Sequence, residues 1–313
     1  MSLEADLFDW LEENLPAGLC CEIGLGDDAA VLKPTKTPLV VTTDLLTDGV
    51  DFLIDEVDPK LVGHKALGVN LSDLAAMAAK PIAAFVSIVL PRAGTKNNSP
   101  LELAIELYRG MLPLAEKHGV TIAGGDTNTW EGDLAISITA IGEATSQGPL
   151  ARSGAQIGDK LLVTGCLGGS ILGRHLQVEP RVEEALLLHD QYELHAGIDI
   201  SDGLTLDASR LATASGCGIV FDIDQIPISL AANQMSKTSG KSPLEHALGD
   251  GEDFELLLAV PPAEASKLLA TQPIAVPISC IGEFVDNPGL WKAQSDGTYT
   301  TLNPLGFQHE ANN

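Results

Sequence analysis

The sequence is poor in basic residues. It holds 18 Lys and Arg against 43 Asp and Glu, which gives a formal net charge of −25. Nucleic acids and anionic lipid surfaces are bound by clustered Lys and Arg side chains, so this charge balance argues against both kinds of partner. We therefore expect neither a nucleic-acid partner nor a membrane partner.

Cysteine is also scarce, and long apolar runs are absent. The five cysteines are odd in number and form no C-x-x-C pair, which excludes a disulfide framework and a cysteine-based zinc site. No stretch approaches the roughly eighteen consecutive apolar residues of a membrane span. The first residues, MSLEADLFDWLEENL, form an acidic amphipathic pattern without the basic and apolar regions of a signal peptide. These absences predict a soluble, cytoplasmic protein.

What is present is an alternation of helical and strand patterns over 313 residues, a length that suits two domains. A Gly-rich and Pro-containing segment, residues 144–159, separates two halves in which both patterns occur. We place an N-terminal domain at 1–145 and a C-terminal domain at 146–313. The fold class predicted is α/β with mixed sheets.

Local signals define several elements of these domains. Ser99 followed by Pro100 predicts a helix start, and Gly119 predicts its end. The apolar run 82–90 predicts a buried strand, and residues 168–177 are predicted to be helical.

The most informative pattern is a set of carboxylates in turns beside Gly, Ser or Thr. Carboxylate, hydroxyl and carbonyl oxygens are the ligands that magnesium prefers, and neither His nor Cys occurs in these motifs. Magnesium of this kind is usually shared with substrate phosphates, so the pattern indicates a nucleotide site. The six motifs are G26-D27-D28, T42-T43-D44, N70-L71-S72-D73, G124-G125-D126, D199-I-S-D202-G203 and G251-E252-D253.

Two glycine motifs and the histidines point away from other chemistries. Residues 24–29 fit the dinucleotide G-x-G-x-x-A spacing, but they place two carboxylates where a pyrophosphate approaches. Residues 168–175 have P-loop glycine spacing without its Lys and hydroxyl, which predicts a tight strand-to-helix turn instead. The histidines have no metal-like spacing and are interpreted as surface or capping residues: His64, His118, His175, His189, His195, His246 and His309.

Taken in order along the chain, the motifs resemble the thiamine-monophosphate kinases, an ATP-dependent branch of the aminoimidazole-ribonucleotide-synthetase-like superfamily. The similarity covers nearly the whole chain. It rests on IGLGDDAAVL at 23–32, VTTD at 41–44, NLSDLAAM at 70–77, AGGD at 123–126, RSGA at 152–155, DISDGL at 199–204 and GEDFEL at 251–256.

The resemblance implies transfer of the ATP γ-phosphate to thiamine monophosphate, giving thiamine diphosphate, with several magnesium ions. It implies a two-domain PurM-like architecture and a homodimer formed through the sheet of the N-terminal domain. Magnesium positions are matched by Asp28, Thr42, Thr43, Asp44, Asp73, Asp126, Asp199 and Asp202. Nucleotide positions are matched by Tyr108, Gly125, Asp126, Arg152 and Ser201, and acceptor positions by Asp51, Glu252 and Phe307. Catalysis, mediated by metal, is expected of Asp44, Asp126 and Asp202.

The chain departs from the family pattern at Asp51, where the family has His, and at Asp250, where it has Gly. Two alternatives stay open from the sequence. The acceptor could be that of a sister family, the selenophosphate synthetases or the aminoimidazole ribonucleotide synthetases. The chain could also be a non-catalytic protein that binds divalent cations.

Overall fold

The computed structural model describes residues 3–15, 20–23, 29–294 and 296–307. The chain divides into two compact units. The N-terminal unit comprises the chain up to Leu74 with residues 79–146 and 176–178, and the C-terminal unit comprises residues 75–78, 147–175 and the chain from Glu179 onward. Both units are mixed α/β, which confirms the predicted fold class. In the part of the chain that is described, no helix has the length and apolar character needed to cross a membrane.

The N-terminal unit is built on a four-stranded sheet of order β3-β6-β4-β5. Strands β4 and β5 are parallel, and the other pairs are antiparallel. Its elements are α1 (Leu3–Asn14), β1 (Cys21–Ile23), β2 (Val31–Leu32), β3 (Leu39–Thr47), α2 (Pro59–Ala76), β4 (Ala79–Pro91), α3 (Pro100–His118), β5 (Thr121–Trp130) and β6 (Ala135–Ala144).

Strand β3 shows how this sheet is oriented. Its side chains alternate between the two faces, so Val40 and Leu46 are buried while Val41 and Leu45 are 60% and 62% exposed. The buried face packs under helices, and the opposite face is open among the described residues. An edge strand with exposed aliphatic side chains is a surface that monomeric proteins usually avoid.

Helix α3 confirms the predicted capping signals. The Ser99 side chain accepts from the Glu102 N–H while Glu102 accepts from the Ser99 N–H, and Pro100 occupies the first turn. Gly119 ends the helix with φ 67°, a conformation that glycine adopts without a Cβ clash.

The C-terminal unit contains a seven-stranded sheet of order β13-β12-β9-β11-β7-β10-β8, parallel only between β12 and β9. Two buried phenylalanines, Phe221 and Phe284, lie in its core. Its elements are β7 (Lys160–Thr164), α4 (Val182–Gln191), β8 (Ala196–Asp199), α5 (Leu204–Ser215), β9 (Gly218–Phe221), α6 (Leu230–Ser239), α7 (Pro243–Gly249), β10 (Leu256–Val260), α8 (Pro262–Thr271), β11 (Ile278–Val285), β12 (Gly289–Ala293) and β13 (Tyr299–Thr301).

The prediction of helix over residues 168–177 was wrong. This segment forms two short 3₁₀ turns, Ser170–Leu172 and Arg174–Leu176, because Gly168 and Gly169 adopt positive φ of 87° and 75° and cannot start an α-helix. The expectation of a tight turn after β7 is confirmed. A Cβ on Gly168 would lie 2.6 Å from the Ala247 backbone nitrogen, so the turn packs closely on α7.

The interpretation of all histidines as surface or capping residues was also wrong for three of them. His175, His189 and His246 are 9%, 5% and 1% exposed. A histidine is apolar enough to be buried when its ring nitrogens find partners, and His246 has a partner on each side. His309 lies outside the described residues.

Candidate active site

One group of predicted site residues lies where β3 faces α2. Thr42 Oγ1 donates a hydrogen bond to Asp73 Oδ2 at 2.5 Å. Two residues along β3, the Asp44 N–H donates to Asn70 Oδ1 at 3.2 Å. Thr42 and Asp44 share a strand face because side chains alternate, and Asn70 and Asp73 share a helix face because they are three residues apart. We call Thr42, Asp44 and Asp73 the acidic cluster.

Carboxylates lie close together in and around the acidic cluster. The pKa of Asp44 is raised to about 6, chiefly by burial and then by repulsion from Asp73 and Asp51. The donors here are carboxylate and hydroxyl oxygens, which is the ligand chemistry of magnesium rather than of zinc. Over the described ranges, no three acidic, His or Cys side chains converge closely enough to hold a metal ion by themselves. This fits magnesium, which is usually held by one or two carboxylates and completes its shell with phosphate and water.

Asp51 closes a turn beside this cluster. Its Oδ2 accepts from the Thr47 N–H at 2.7 Å, and its carbonyl accepts from Lys65 Nζ at 2.8 Å. Lys65 is fully buried, which is rare for lysine and marks a positioning contact. Sequence reasoning missed Lys65, and it named Asn70 only as part of a motif. The signal for Lys65 was a charged residue in the middle of the mainly apolar helix α2.

Thr43 is not brought to the acidic cluster. Its side chain points to the opposite face of β3, where it lies 3.5 Å from Ser137 Oγ and accepts from Thr139 Oγ1 at 3.2 Å. The reason is the two-residue period of a strand. Asp28, also predicted as a ligand, lies outside the described residues.

Asp126 lies at the other edge of the same sheet. Through the intervening strands β6 and β4, Asp44 of β3 is in register with Gly125 of β5. Asp44 and Gly125 therefore lie in one row across the sheet. Three strand spacings separate them, about 14 Å. Asp126 pairs with the exposed Ser87 and belongs to the opposite face. One metal ion of this unit cannot bind both Asp44 and Asp126, because magnesium–oxygen distances are about 2.1 Å.

Three predicted nucleotide residues do come together, in a cavity of about 240 Å³ between α1, α3 and β5. Asp126 and Gly125 line one part of it, and Tyr108 lines another. The remaining lining is mainly apolar and includes Leu7, Phe8, Leu11, Leu15 and Ile122, with Gly124 and Thr127 beside Asp126. Tyr108 is 3% exposed, and burial raises the pKa of its phenol. A mainly apolar cavity with one carboxylate residue in its lining suits a flat base joined to a polar chain.

Gly125 has a structural reason for being glycine. A Cβ at this position would lie 1.9 Å from the Val86 carbonyl oxygen on neighbouring β4. Backbone atoms cannot move away as a flexible side chain does, so the parallel pairing of β4 and β5 itself requires glycine here.

In the C-terminal unit, the predicted residues Asp199, Ser201 and Asp202 follow one another at the end of β8. Asp207 Oδ2 holds the loop by accepting the N–H groups of Ser201, Asp202 and Gly203 at 3.1, 2.9 and 3.1 Å. Burial raises the pKa of Asp207 to about 6, against the lowering effect of the backbone hydrogen bond from Asp202 and of Arg210. Sequence reasoning missed Asp207, although an Asp in the first turn of a helix is a familiar cap.

Asp202 pairs with a cation of its own chain. Arg210 Nη1 lies 2.6 Å from Asp202 Oδ2 and 2.6 Å from Asp207 Oδ1. Asp199 is 2% exposed at the end of β8. Asp202 therefore has a cation beside it, which it shares with Asp207.

The two predicted acceptor residues of this unit meet the same loop. The Glu252 N–H donates to the Ser201 carbonyl at 2.7 Å, and the Phe307 N–H donates to the Asp202 carbonyl at 2.9 Å. Glu252 adopts φ 53°, an unfavourable conformation for a residue with a Cβ. Segments separated widely in sequence are thus joined at Ser201 and Asp202.

Arg152 is not brought to Ser201. Its carbonyl accepts from Ser215 Oγ at the C-terminal end of α5, whereas Ser201 precedes the N-terminal end. Twelve helical residues separate these ends, which is about 18 Å.

Comparisons with known proteins show which family this chain resembles. Residues 26–144 match the family described as AIR synthase related protein, N-terminal domain, and residues 133–290 match AIR synthase related protein, C-terminal domain. A thiamine-monophosphate kinase of Rhodopirellula baltica is 44% identical over 295 residues, covering 92% of this chain and 91% of the relative.

The chain is also similar to solved structures. Thiamine-monophosphate kinase from Stenotrophomonas maltophilia K279a has a TM-score of 0.78 at 29% identity, with 96% of this chain and 97% of that chain covered. The structure described as AaThiL complexed with AMPPCP and TMP has a TM-score of 0.76 at 28% identity, with 98% and 97% covered.

Proposed function

This chain belongs to the thiamine-monophosphate kinase family, and from that premise we propose that it transfers the ATP γ-phosphoryl group in line, with the help of magnesium. ATP-dependent phosphorylation of thiamine monophosphate is the activity of the chain. The metal, the residue roles, the two domain roles and the oligomeric state are parts of the proposal. So is a cytoplasmic location, where ATP is supplied.

The observation that carries the magnesium proposal is the crowding of carboxylates around Asp44. A carboxyl with its pKa raised to about 6 by burial and by two like charges gains stability when a cation approaches. Thr42, Asp44 and Asp73 are the residues proposed to hold the ion. Bound magnesium supplies positive charge that neutralises phosphate oxygens.

We assign the nucleotide to the cavity between α1, α3 and β5. We place the base among the apolar side chains of the lining, beside the ring of Tyr108, and the phosphates beside Asp126. A carboxylate repels phosphate unless a cation lies between them, so Asp126 belongs to the metal-binding set. In this proposal residues 1–145 bind ATP and magnesium.

We assign the acceptor to Glu252 and Phe307 of the C-terminal unit. Thiamine carries a cationic ring, which is attracted both to a carboxylate and to an aromatic face. The N–H groups of Glu252 and Phe307 donate hydrogen bonds to neighbouring carbonyls, those of Ser201 and Asp202, which supports a shared role.

The reaction requires alignment of donor and acceptor rather than a general base. The acceptor is already a phosphate oxyanion, so no proton has to be removed before it attacks. The side chains of the chain therefore orient donor and acceptor and balance their charge. No phosphorylated protein intermediate is required, and labelled ATP without acceptor should leave the protein unlabelled.

We propose a homodimer formed through the open face and edge of the N-terminal sheet. Leu39, Val41 and Leu45 of edge strand β3 are 46%, 60% and 62% exposed. Burying aliphatic side chains of this size contributes about 1.5 to 3 kcal/mol each. A second copy also brings a second Asp126 and a second acidic cluster into the assembly. Asp126 of one subunit can then act together with the acidic cluster of the other, although the two are separated within one subunit.

The experiment that tests the activity offers ATP and magnesium with thiamine monophosphate, thiamine, selenide or aminoimidazole precursors, each alone. ADP release with thiamine monophosphate only, and thiamine diphosphate as product, is the expected result. Release with another acceptor only, or no release with any, contradicts the proposal. Replacing magnesium by a chelator should abolish release.

A further inference from the structure

The loop that carries Glu252 is held in an unfavourable conformation. Glu252 and Phe254 both have positive φ, 53° and 49°, and neither is glycine. Such a conformation costs roughly 1 to 2 kcal/mol per residue, so surrounding contacts must hold it. We call residues 250–253 the acceptor loop.

Contacts on one side of the acceptor loop come from the end of β8. The N–H groups of Glu252 and Phe254 donate to the carbonyls of Ser201 and Ile200 at 2.7 and 2.8 Å. These bonds fix the backbone where Glu252 projects.

Contacts on the other side come from the glycine turn after β7. The Gly169 N–H donates to Asp250 Oδ2 at 2.9 Å, and the Gly168 N–H donates to Asp253 at 2.9 Å. Ser170 Oγ donates to the Gly251 carbonyl at 2.7 Å. The N–H groups that a P-loop offers to phosphate are here bound to carboxylates of the chain itself.

His246 orients one of these carboxylates. It is 1% exposed on α7, and its Nδ1 lies 2.8 Å from Asp250 Oδ2 and 2.9 Å from Oδ1. Its Nε2 lies 2.7 Å from Ser239 Oγ. An ionised carboxylate only accepts hydrogen bonds, so Nδ1 carries the proton and donates to Asp250. Asp250 thus points inward, to His246 and Gly169.

Ser239, His246 and Asp250 are linked by hydrogen bonds in the order of a hydrolytic triad, but their surroundings do not support hydrolysis. Ser239 is the last residue of α6, where the helix presents carbonyl oxygens rather than N–H donors. An oxyanion needs such donors. This series of hydrogen bonds therefore positions the side chains and does not prepare Ser239 for nucleophilic attack.

We propose that His246 is a positioning residue for the acceptor. Through Asp250 it holds the acceptor loop so that Glu252 keeps the backbone conformation in which it meets thiamine monophosphate. The inference rests on the proposed role of Glu252. It adds to that role a buried histidine with no contact to substrate.

The test compares His246→Phe, which keeps a ring but no hydrogen bond, with His246→Asn, whose amide N–H can replace Nδ1. In the full chain with magnesium, His246→Phe should raise KM for thiamine monophosphate about tenfold and leave KM for ATP unchanged. His246→Asn should restore KM to within about threefold of wild type, by the same arithmetic. Ser239→Ala, which removes only the far partner, should change KM little. Equal rises in both KM values, or no rescue by His246→Asn, would overturn the proposal.

Glu252→Gln separates this inference from the proposed function. If Glu252→Gln leaves KM for thiamine monophosphate unchanged, the acceptor assignment itself fails. If Glu252→Gln raises KM and His246→Phe does not, only the positioning role fails. In the double variant, His246→Phe should add no further rise, because both changes act on one contact. Should His246→Phe fail to fold, Asp250→Ala breaks the same link from the loop side, and an unchanged KM for thiamine monophosphate in that variant overturns the proposal.

Discussion

Thr42 Oγ1 donates to Asp73 Oδ2 at 2.5 Å, and this bond joins edge strand β3 to helix α2. The Thr42 hydroxyl donates to one carboxylate of the acidic cluster, while Asp44 on the same strand face donates its backbone N–H to Asn70 Oδ1. Burial, and then repulsion from Asp73 and Asp51, raises the pKa of Asp44 to about 6, so Asp44 is the residue at which the metal assignment is best tested.

Asp44→Asn should reduce kcat/KM at least about a hundredfold, because it removes a ligand charge that the transition state uses. The fold should persist, since an amide of equal size keeps the packing. Activity and circular dichroism measured together check this. Asp224→Asn, an exposed carboxylate of the C-terminal unit, is the matched control and should retain full activity. Loss of the thermal transition in Asp44→Asn would show a structural role instead.

The same substitution should change how stability depends on pH without metal. The folded pKa of Asp44 is about 6 and the unfolded value about 3.9. The neutral form favours folding, so wild type keeps this stability below about pH 4 and loses it as pH rises through 6. The loss is at most about 3 kcal/mol.

Asp44→Asn has no such loss. In chelator, its melting temperature should exceed that of wild type at pH 8, and the difference should shrink toward pH 4. Magnesium should stabilise wild type more than the variant. A variant less stable than wild type at pH 8 in chelator would contradict the electrostatic account.

The sequence predicted those parts of the fold that local chemistry determines. The capping residues Ser99 and Gly119 delimit α3, and the carboxylate motifs led to both groups of site residues. The prediction that these motifs lie in turns was wrong for three of them, which lie inside β3, α2 and β5. It could not show that Asp44 and Asp126 belong to opposite sheet edges, because strand order is a long-range property. It also could not show that His246 is buried, because its partner Asp250 was known only as a departure from a family pattern. Thr43 was predicted as a ligand beside Asp44, yet strand alternation turns it to the other face.

The open face of the N-terminal sheet predicts a dimer that a single charge disrupts. Leu45→Glu should convert a dimer to a monomer at micromolar concentration, because a carboxylate opposite its symmetry copy loses hydration without a partner. Light scattering measures the mass. Leu230→Glu on α6, at a leucine 89% exposed, is the control and should leave the dimer intact. A wild-type monomer would remove this part of the proposal.

The cavity between α1, α3 and β5 predicts a specific effect on ATP. Tyr108→Leu removes a ring from the lining and should raise KM for ATP several-fold, on the order of the 1 kcal/mol that aromatic contacts contribute. KM for thiamine monophosphate should not change. Tyr108→Phe keeps the ring and should behave as wild type. If the leucine variant affects the two substrates equally, the cavity is not the nucleotide site.

Gly125 allows the structural and the phosphate-binding interpretations to be separated. A Cβ here would lie 1.9 Å from the Val86 carbonyl oxygen, so Gly125→Ala must push β5 away from β4. We expect a loss of about 2 kcal/mol or more and a lower melting temperature with or without ATP. Gly124→Ala is the matched neighbour, because its Cβ would meet only the Phe85 ring at 3.4 Å. If Gly125→Ala melts like wild type but binds ATP poorly, the glycine serves the nucleotide; if its melting temperature falls, its loss of activity says nothing about phosphate.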